Sequence, residues 1–325
     1  MTASLDDFAA YQELAAEGAL TVRITLYPSI DTLERWTNVR VRRGFGGQWL
    51  KVNGLKGFAD GSLGSSTAYF FDSYHDSPGN YGLTLRPLAA GGEMERLVRA
   101  TARAGLQPAI HAIGDRAIRE LLDIFERLPV EEGTGRPRSR ATRCRIEHAQ
   151  HIHPADIGRF GPLGVIASMQ PDHAADDGRW AEKRIGKQRC ETTYAFRSLL
   201  DQRATVAFGS DWPVAPLSPL LGIDAAVTRR TLDGLHPEGW MPAQKISVEE
   251  ALTAYTRGSA TAAFDEHHLG MLRAGYLADF VVLSEDILRI DPARIREVKV
   301  DMTVVGGRVV FEAPMTNDQA PKKPQ

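Results

Sequence analysis

Short apolar runs alternate with amphipathic helical patterns through most of the chain. Such an alternation is typical of parallel β-strands covered by crossover helices. Helices are predicted between some of the strands, at Glu93–Ala104 and Ile118–Leu128. Six strands of this kind would be two short of a closed eight-stranded barrel. The predicted strands are Leu20–Tyr27, Trp49–Phe58, Gln107–His111, Arg143–His148, Val165–Gln170 and Thr205–Ser210.

Three further segments have local signals of their own. The turn-rich, charged stretch Val130–Ala141 predicts a surface loop rather than a domain linker. Ser247 and Glu250 have the spacing of a capping box, which predicts a helix from about Ser247 to Ala263. The polar stretch Pro171–Arg189 is open to two interpretations, a substrate lid or a solvated loop, and we favour the solvated loop.

The pattern changes near residue 266. Gly270–Leu283 and Val298–Phe311, the second with a turn signal at Gly306-Gly307, predict β-strands in a small separate layer. Beyond them the chain is polar and has no periodicity, which predicts disorder. We therefore divide the chain into a barrel portion at 1–265, C-terminal strands at 266–312 and a disordered tail at 313–325.

Charge and composition narrow the classes of partner. The chain has 39 Lys and Arg against 41 Asp and Glu, so no broad positive field favours nucleic acid or an anionic membrane. No apolar run is long enough to span a bilayer, and residues 1–8 lack the features of a signal peptide. These observations favour a small-molecule partner and a cytoplasmic location. Cys144 and Cys190 are too few for a disulfide scaffold or a zinc ribbon, so any metal would need other ligands.

Polar residues close four of the predicted strands. Barrels of parallel strands place their chemistry at the C-terminal ends of the strands, and Lys56, His111, His148 and Asp211 stand at such ends. Two histidines and a carboxylate are ligands that a divalent transition metal prefers. A lysine with a depressed pKa can react with carbon dioxide to give a carbamate, which is an oxygen ligand. The four residues therefore predict a metal site.

Neighbouring polar residues have structural alternatives. Asp115 could cap the following helix or orient His111, and we favour the capping role. Arg145 and Glu147 are expected to form a structural ion pair. Gln170 could contact a substrate or simply end its strand, and the sequence leaves both open.

Other histidines are weaker candidates for metal ligands. His151 and His153 share the spacing of alternate strand residues, but they lie just before Pro154 and a helical pattern, so we place them on a loop and reject a metal role. His173 and Arg184 lie in the stretch for which we favour a solvated loop, and we assign them no role.

With these residues assembled, the chain resembles the amidohydrolase superfamily, specifically the family 3 branch that includes N-substituted formamide deformylases. Five ordered motifs are more specific than any one of them alone, and the resemblance extends from about Leu5 to Phe311. The motifs are Val52–Ala68, His111–Ala117, Arg145–Gln150, Ser168–Pro171 and Gly209–Val214.

The resemblance implies a fold and a set of roles. The fold is a distorted (β/α)8 barrel with a β-sandwich built from both chain ends. Lys56 is similar to the carboxylated lysine, His111 and His148 to the ligands on the fifth and sixth strands, and Asp211 to the aspartate that binds metal and takes a proton from the attacking water. The implied cofactor is a divalent metal, Zn²⁺ as one or two ions. Possible substrate or supporting contacts are Asp60, Asp115, Gln170 and Trp212.

The chain departs from the family at one point. The family's first strand supplies a His-x-His to one of the metal ions, and this chain is expected to begin after the second strand, so that it holds about strands 3 to 8. The prediction is a metal-dependent hydrolase of C–N bonds in small-molecule amides, with a second copy of the chain as a further expected partner in a homo-oligomer. One alternative is a truncated, inactive remnant or scaffold. Another is a lyase that uses Lys56 as a Schiff-base nucleophile, which leaves His111, His148 and Asp211 without a shared role.

Overall fold

The structure, a computed structural model, describes residues 2–129 and 138–314. Its strands fall into three β-sheets. In chain order they are β1 (Thr2–Ala3), β2 (Ile24–Pro28), β3 (Phe45–Gly46), β4 (Leu50–Val52), β5 (Gly54–Phe58), β6 (Gln107–Ala112), β7 (Arg145–His148), β8 (Ile166–Met169), β9 (Thr205–Phe208), β10 (Phe280–Leu283), β11 (Val300–Val305) and β12 (Arg308–Glu312).

The central sheet is parallel throughout, in the order β5-β6-β7-β8-β9. A second sheet has the order β1-β2-β4-β3, and a parallel bridge from Ser29 to Lys56 joins its strand β2 to β5. Strands β10, β11 and β12 form an antiparallel sheet of their own. An α/β fold with a parallel sheet is thereby confirmed. Among the described residues, hydrogen bonds do not close the central sheet into a ring, and the incomplete barrel stays a prediction.

Helices cover the central sheet because their apolar faces need burial. In α4, for example, Ile118, Leu121, Leu122 and Phe125 recur at helical spacing and are all buried. The helices are α1 (Leu5–Ala16), α2 (Leu33–Asn38), α3 (Glu93–Arg103), α4 (Asp115–Glu126), α5 (Arg138–Thr142), α6 (Pro154–Ile157), α7 (Phe160–Leu163), α8 (Pro171–Asp177), α9 (Ala181–Ile185), α10 (Lys187–Cys190), α11 (Phe196–Asp201), α12 (Pro219–Thr228), α13 (Val248–Thr253) and α14 (Ser259–Ala262), with 3₁₀ turns at Ile30–Thr32, Pro242–Gln244 and Pro292–Glu297 and a π-helical segment at Ala254–Gly258.

None of the helices in the described ranges is both long enough and apolar enough to cross a lipid bilayer.

The predicted strand Trp49–Phe58 is wrong as a single strand. The backbone of Asn53 serves two sheets at once: its N–H donates to the carbonyl of Leu26, and its carbonyl accepts from the N–H of Gln107. Consequently β4 pairs with β2 on one side of Asn53, and β5 pairs with β6 on the other. Apolar periodicity continues through such a crossover, so the sequence pattern did not reveal it.

Two local predictions from the C-terminal third are confirmed. The side chain of Ser247 accepts from the N–H of Glu250 at 3.2 Å, and the Glu250 carboxylate accepts from the N–H of Ser247 at 2.8 Å, which completes the capping box. Gly306 and Gly307 form the two-residue turn between β11 and β12, with φ values of +59° and +76°. Positive φ at both positions is what a tight hairpin of this kind requires.

Other boundaries differ or lie outside the described ranges. Helix α4 begins at Asp115, three residues before the predicted start, and the predicted strand Gly270–Leu283 is a strand only from Phe280 onward. Most of the predicted loop Val130–Ala141 and nearly all of the predicted disordered tail are outside the described residues; at the described end of the loop, α5 begins at Arg138.

The C-terminal sheet is attached to the N-terminal sheet through one ion pair and one aromatic ring. Arg23 donates two hydrogen bonds to Asp279, at 2.6 and 2.9 Å. The guanidinium groups of Arg23 and Arg308 also lie 4.7 and 4.6 Å from the ring centroid of Trp49. Residues far apart in the chain thus join the two layers.

Side chains near the N-terminal ends of the central strands cap the C-terminal end of helix α14. The last carbonyls of a helix have no partner within it. Here Asn53 donates to the carbonyl of Ala263 at 2.6 Å, Gln107 donates to that of Ala262 at 3.2 Å, and Arg143 donates to that of Thr261. The polar groups at the N-terminal ends of the strands therefore stabilise the fold, because they cap a helix.

We predict that Asn53→Ala lowers the free energy of unfolding by about 2 kcal/mol, because it removes two hydrogen bonds of the buried Asn53 side chain, the one donated to the Ala263 carbonyl and the one accepted from the Gly44 N–H. Urea denaturation followed by circular dichroism measures the change. Asn38→Ala, at an exposed position, is the matched control and should change stability by less than about 0.5 kcal/mol. Equal stability of the two variants would contradict the capping role.

Candidate metal centre

A cavity of about 700 Å³ opens at the C-terminal ends of the central strands. Parallel strands bring their C-terminal ends to one edge of a sheet, where ligands generally bind. All four strand-end residues singled out from the sequence line this cavity. They are Lys56, His111, His148 and Asp211.

Three side chains in the cavity have the geometry of a metal site. Ligand atoms of His148, His173 and Asp211 all lie within 4.8 Å of one another. The Nε2 atom of His173 is 3.9 Å from Oδ2 of Asp211, and the rings of His148 and His173 are stacked with their centroids 6.2 Å apart. Two imidazoles and one carboxylate are a frequent ligand set for a divalent metal with an open coordination position.

An orphaned nitrogen tests whether these residues fit a metal ion. Nε2 of His173 is buried and has no hydrogen-bond partner among the described residues. Leaving a buried polar atom unpaired costs about 1 to 3 kcal/mol. A divalent cation between His173, His148 and Asp211 would satisfy this nitrogen and balance the carboxylate, so the donor set fits the ion.

The preference for a solvated loop at Pro171–Arg189 is wrong. The segment forms three short helices, and α8 presents His173 to the cavity while Ala174 and Ala175 are buried. Pro171 at the first helical position, directly after a strand, is a helix-start signal that could have indicated this. His173 is the site residue that the sequence reasoning missed.

Arginines hold this helical segment against the loop that follows β5. Arg184 donates to the Ser66 hydroxyl at 2.9 Å and to the Gly64 carbonyl at 2.8 Å. Arg189 donates to the carbonyls of Asp72 and Ser73, at 3.1 and 2.9 Å. These contacts hold α9 and α10, the two helices that follow the helix of His173, against a loop that is more than 100 residues away in sequence.

His148 is oriented by a neighbour on the next strand. Its Nδ1 lies 2.8 Å from Oε1 of Gln170, the residue between β8 and α8. Nδ1 thus donates to the amide oxygen, which leaves Nε2 as the ligand atom. His148 and Asp211 also have positive φ values, +74° and +59°, and such strained backbone is often found at functional sites.

His111 lies beside the three-residue group rather than within it. Its ring is edge-on to that of His148 with centroids 4.6 Å apart. Its Nε2 is 2.9 Å from the Gly61 carbonyl and 3.5 Å from Oδ1 of Asp60. Because Nε2 donates to Gly61, only Nδ1 is left for a metal.

Lys56 lies inside β5, two residues before its end. Lys56 and Phe58 alternate along the strand and both face the cavity, with Nζ 5.3 Å from the Phe58 ring centroid. Burial lowers the pKa of Lys56, against the opposing effect of Glu147. A fraction of neutral amine is therefore favoured, which is the form that reacts with carbon dioxide.

Asp60 joins the loops after β5 and β6. Its carboxylate accepts hydrogen bonds from the backbone N–H groups of Tyr69, Ile113 and Gly114, at 2.9, 3.0 and 2.8 Å. Burial raises the pKa of Asp60 to about 7, although these hydrogen bonds act to lower it. Asp60 thereby supports the loop that directly follows the strand of His111.

Asp115 has neither of the two roles considered from the sequence. The N-cap of α4 is Gly114, and Oδ1 of Asp115 accepts from the N–H of Phe71 at 3.0 Å. A Cβ atom on Gly114 would lie 2.1 Å from the Tyr69 carbonyl oxygen. The close approach of the β5 loop to this turn excludes a larger residue, and Asp115 fastens the loop there.

The ion pair between Arg145 and Glu147 is confirmed, at 2.5 Å. Ser168 donates a further hydrogen bond to Glu147 at 2.7 Å. Burial acts to raise the pKa of Glu147, but the charges of Arg145 and Lys56 lower it to about 2. Glu147 is therefore a fixed negative charge beneath the site.

The remaining residues considered from the sequence have the following places. Trp212 lies at the cavity mouth with 54% of its surface exposed. His151 is buried between Thr193 and Gln150, at 2.8 and 3.0 Å. His153 caps α6 by accepting from the N–H of Ala155.

The histidines of the site are held in the form that binds metal. Burial lowers the pKa of His111 to about 4 and that of His148 well below its usual range. Burial also lowers the pKa of His173, while the charge of Asp211 acts in the opposite direction. Metal binding needs neutral imidazole, so no proton has to be displaced at neutral pH.

A family model described as the amidohydrolase family matches residues 1–311 of the chain, which confirms the resemblance drawn from its motifs. Protein LONG AFTER FAR-RED 3 of Arabidopsis thaliana is 42% identical over 267 residues, which make up 82% of this chain and 44% of that protein. N-substituted formamide deformylase of Arthrobacter pascens is 30% identical over 221 residues, 68% of this chain and 39% of that protein.

A solved structure is also similar. The crystal structure of an uncharacterized metal-dependent hydrolase from Pyrococcus horikoshii superposes with a TM-score of 0.79 at 30% identity, covering 90% of this chain and 56% of that one. This chain therefore spans about half the length of the relatives it matches.

We predict that His173→Ala lowers the affinity for Zn²⁺ by at least about 100-fold, because it removes one of three converging ligands. Equilibrium dialysis with metal analysis measures the affinity. His267→Ala is the matched control, since His267 is largely exposed and lies outside the cavity; it should leave the affinity within about twofold. If His173→Ala binds Zn²⁺ as well as the unmodified chain does, the three-residue site is wrong.

Proposed function

We propose that this chain, which belongs to the amidohydrolase family, binds a divalent metal ion and hydrolyses a C–N bond in a small-molecule amide. The observation that carries the proposal is the unpaired Nε2 of His173, within 3.9 Å of Asp211 and near His148 at the strand ends. We choose Zn²⁺ as the ion because imidazole and carboxylate ligands suit it.

A bound ion of this kind would act as a Lewis acid and would lower the pKa of a coordinated water. In this proposal Asp211 accepts the proton of the attacking water. Burial raises the pKa of Asp211, against the charges of His173 and Lys56, which brings the carboxylate closer to the basicity that a general base needs. Gln170 keeps His148 in the tautomer whose Nε2 would be free to bind an ion.

Lys56 and His111 extend the proposal to a second ion. Both lie in the cavity beside His148, and the depressed pKa of Lys56 favours formation of a carbamate. A carbamate at Lys56 and Nδ1 of His111 would provide an oxygen and a nitrogen ligand for another ion. In this proposal the central sheet is part of a (β/α)8-type barrel, and β10 to β12 belong to a β-sandwich.

The amide class is supported by the cavity and by one relative. A volume of about 700 Å³ suits a small molecule rather than a protein segment. The Arthrobacter relative is named for removing the formyl group of N-substituted formamides, which is cleavage of a C–N bond. We also propose that the protein acts in the cytoplasm, and we retain a homo-oligomer as a prediction; neither proposal rests on a contact in the structure.

A Schiff-base lyase is the second candidate, favoured by the buried Lys56 with its lowered pKa. It gives no role to the converging atoms of His148, His173 and Asp211. If the lyase were correct, borohydride treatment with a carbonyl compound would add a stable mass at Lys56. Because we favour the hydrolase, we expect no added mass.

We predict that Asp211→Asn lowers the rate of amide hydrolysis by at least about 100-fold while leaving the fold intact, because the amide cannot accept a proton. Formate release from N-benzylformamide by the Zn²⁺-loaded protein measures the rate, and circular dichroism checks the fold.

Asp201→Asn is the matched control, since Asp201 forms only a surface ion pair with Arg197, and its rate should not change. Undiminished hydrolysis by the Asp211→Asn variant would contradict the role of Asp211. If the unmodified protein binds Zn²⁺ but hydrolyses no amide in a broad panel, that result would favour the non-catalytic scaffold over the hydrolase.

A further inference from the structure

One wall of the cavity is formed by a single face of helix α8. Asp172, His173, Asp176 and Asp177 all line the cavity, and the pairs 172/176 and 173/177 are one helical turn apart. His173 belongs to the candidate metal centre. The three aspartates of this wall have no part in the proposed hydrolysis.

Most charges around the cavity have a partner of opposite sign. Glu147 is paired with Arg145, and Asp176 with Arg179. The neighbouring pairs are Arg296 with Asp224, 3.7 Å apart, and Lys56 with Asp211, which interact electrostatically. Asp172 and Asp177 form no salt bridge within the described residues, although Arg296 and Arg179 act on them electrostatically from farther away, and both aspartates are more than nine-tenths buried.

Asp177 has one oxygen left for a ligand. Its Oδ2 accepts two hydrogen bonds, from the Gln150 amide at 2.5 Å and from the Tyr194 hydroxyl at 2.7 Å. Its Oδ1 accepts none from any residue in the described ranges, although only 8% of the residue is exposed. Unlike Nε2 of His173, this oxygen is not a fully buried atom, so it is open to the cavity and can accept a hydrogen bond from a ligand.

The surroundings of Asp177 suit an organic cation. The indole of Trp180 lies just beyond the end of α8, and Trp212 lines the same cavity. Indole faces attract ammonium groups, and apolar walls strengthen a charge pair by excluding water. An anionic group here would instead meet two carboxylates that have no salt-bridge partner among the described residues.

We propose that Asp177 is a specificity-determining residue that receives an ammonium group of the substrate at Oδ1, with Asp172 contributing its charge from the same helix face. The substrate class is therefore an amide that also bears an amine, with the amide at the metal centre and the amine at the α8 wall. This inference rests on the proposed function, because it takes the cavity to be the substrate site. Burial raises the pKa of Asp177 to about 7, and a bound ammonium would favour its ionised form.

The test compares three probes of similar size, benzylammonium, benzyl alcohol and benzoate, by isothermal titration calorimetry on the full chain. Measurements before and after dialysis against EDTA separate binding at the wall from binding to metal. We expect benzylammonium to bind at least about 10-fold more tightly than benzyl alcohol, and benzoate to bind most weakly. Equal affinities for benzylammonium and benzyl alcohol in the unmodified protein would overturn the proposal without any variant.

Asp177→Asn provides the residue-level test. Asparagine keeps an oxygen for Tyr194 and Gln150, so the fold should be retained, while the preference for benzylammonium over benzyl alcohol should fall to about twofold or less. Asp176→Asn is the matched control on the same helix face, and it should keep the preference because Arg179 balances Asp176. An unchanged preference in Asp177→Asn would overturn the assignment.

Zn²⁺ titration of the same proteins separates the two proposals. If Zn²⁺ fails to bind while the ammonium preference persists and depends on Asp177, the proposed hydrolase is wrong and the cation site stands. If Zn²⁺ binds and the ammonium preference is absent, only the inference about Asp177 fails.

Discussion

The parallel pairing of β5 to β9 is the constraint on which the site depends. The register places Phe58 beside His111 and Ala112 beside His148, so successive strands end at nearly the same level. Residues separated by more than 150 positions in sequence therefore reach one cavity. Helices pack against this sheet. At the N-terminal ends of its strands, Asn53 and Gln107 cap helix α14, which leaves the C-terminal ends free for chemistry.

Burial then determines the chemical state of the residues gathered there. Taking ionisable groups out of water lowers the pKa of the histidines and of Lys56 and raises that of Asp211. The site thus contains neutral nitrogen ligands beside a carboxylate, and the orphaned Nε2 of His173 marks a place where a cation would be stabilising. Glu147 keeps its charge because Arg145 is bound to it.

Helix α8 links the candidate metal centre to the shape of the cavity. It carries His173 toward that centre and Asp172 and Asp177 toward the remaining space. The helix packs on α12, and the two helices that follow it, α9 and α10, are held by Arg184 and Arg189 against the loop after β5, which also forms part of the cavity lining. One helix therefore carries a candidate ligand and forms a wall of the cavity. Relatives about twice the length of this chain have more structure, and the activity of the whole protein stays a proposal.

The sequence by itself determined the α/β class, the positions of the central strands within a few residues, the capping box at Ser247 and the family. It also singled out Lys56, His111, His148 and Asp211, because strand periodicity shows where apolar runs end and parallel strands end at a common edge. These signals are local in sequence, so they can be recognised without knowledge of the tertiary structure.

Only the tertiary structure decided the roles of His173, Asp115 and Asn53. His173 lines the cavity on α8, which packs on α12, Asp115 binds the backbone of Phe71, and Asn53 divides its backbone hydrogen bonds between two sheets. Each of these roles is a contact between residues distant in sequence. Periodicity and residue type contain no record of such contacts, since they arise only when separate elements pack together.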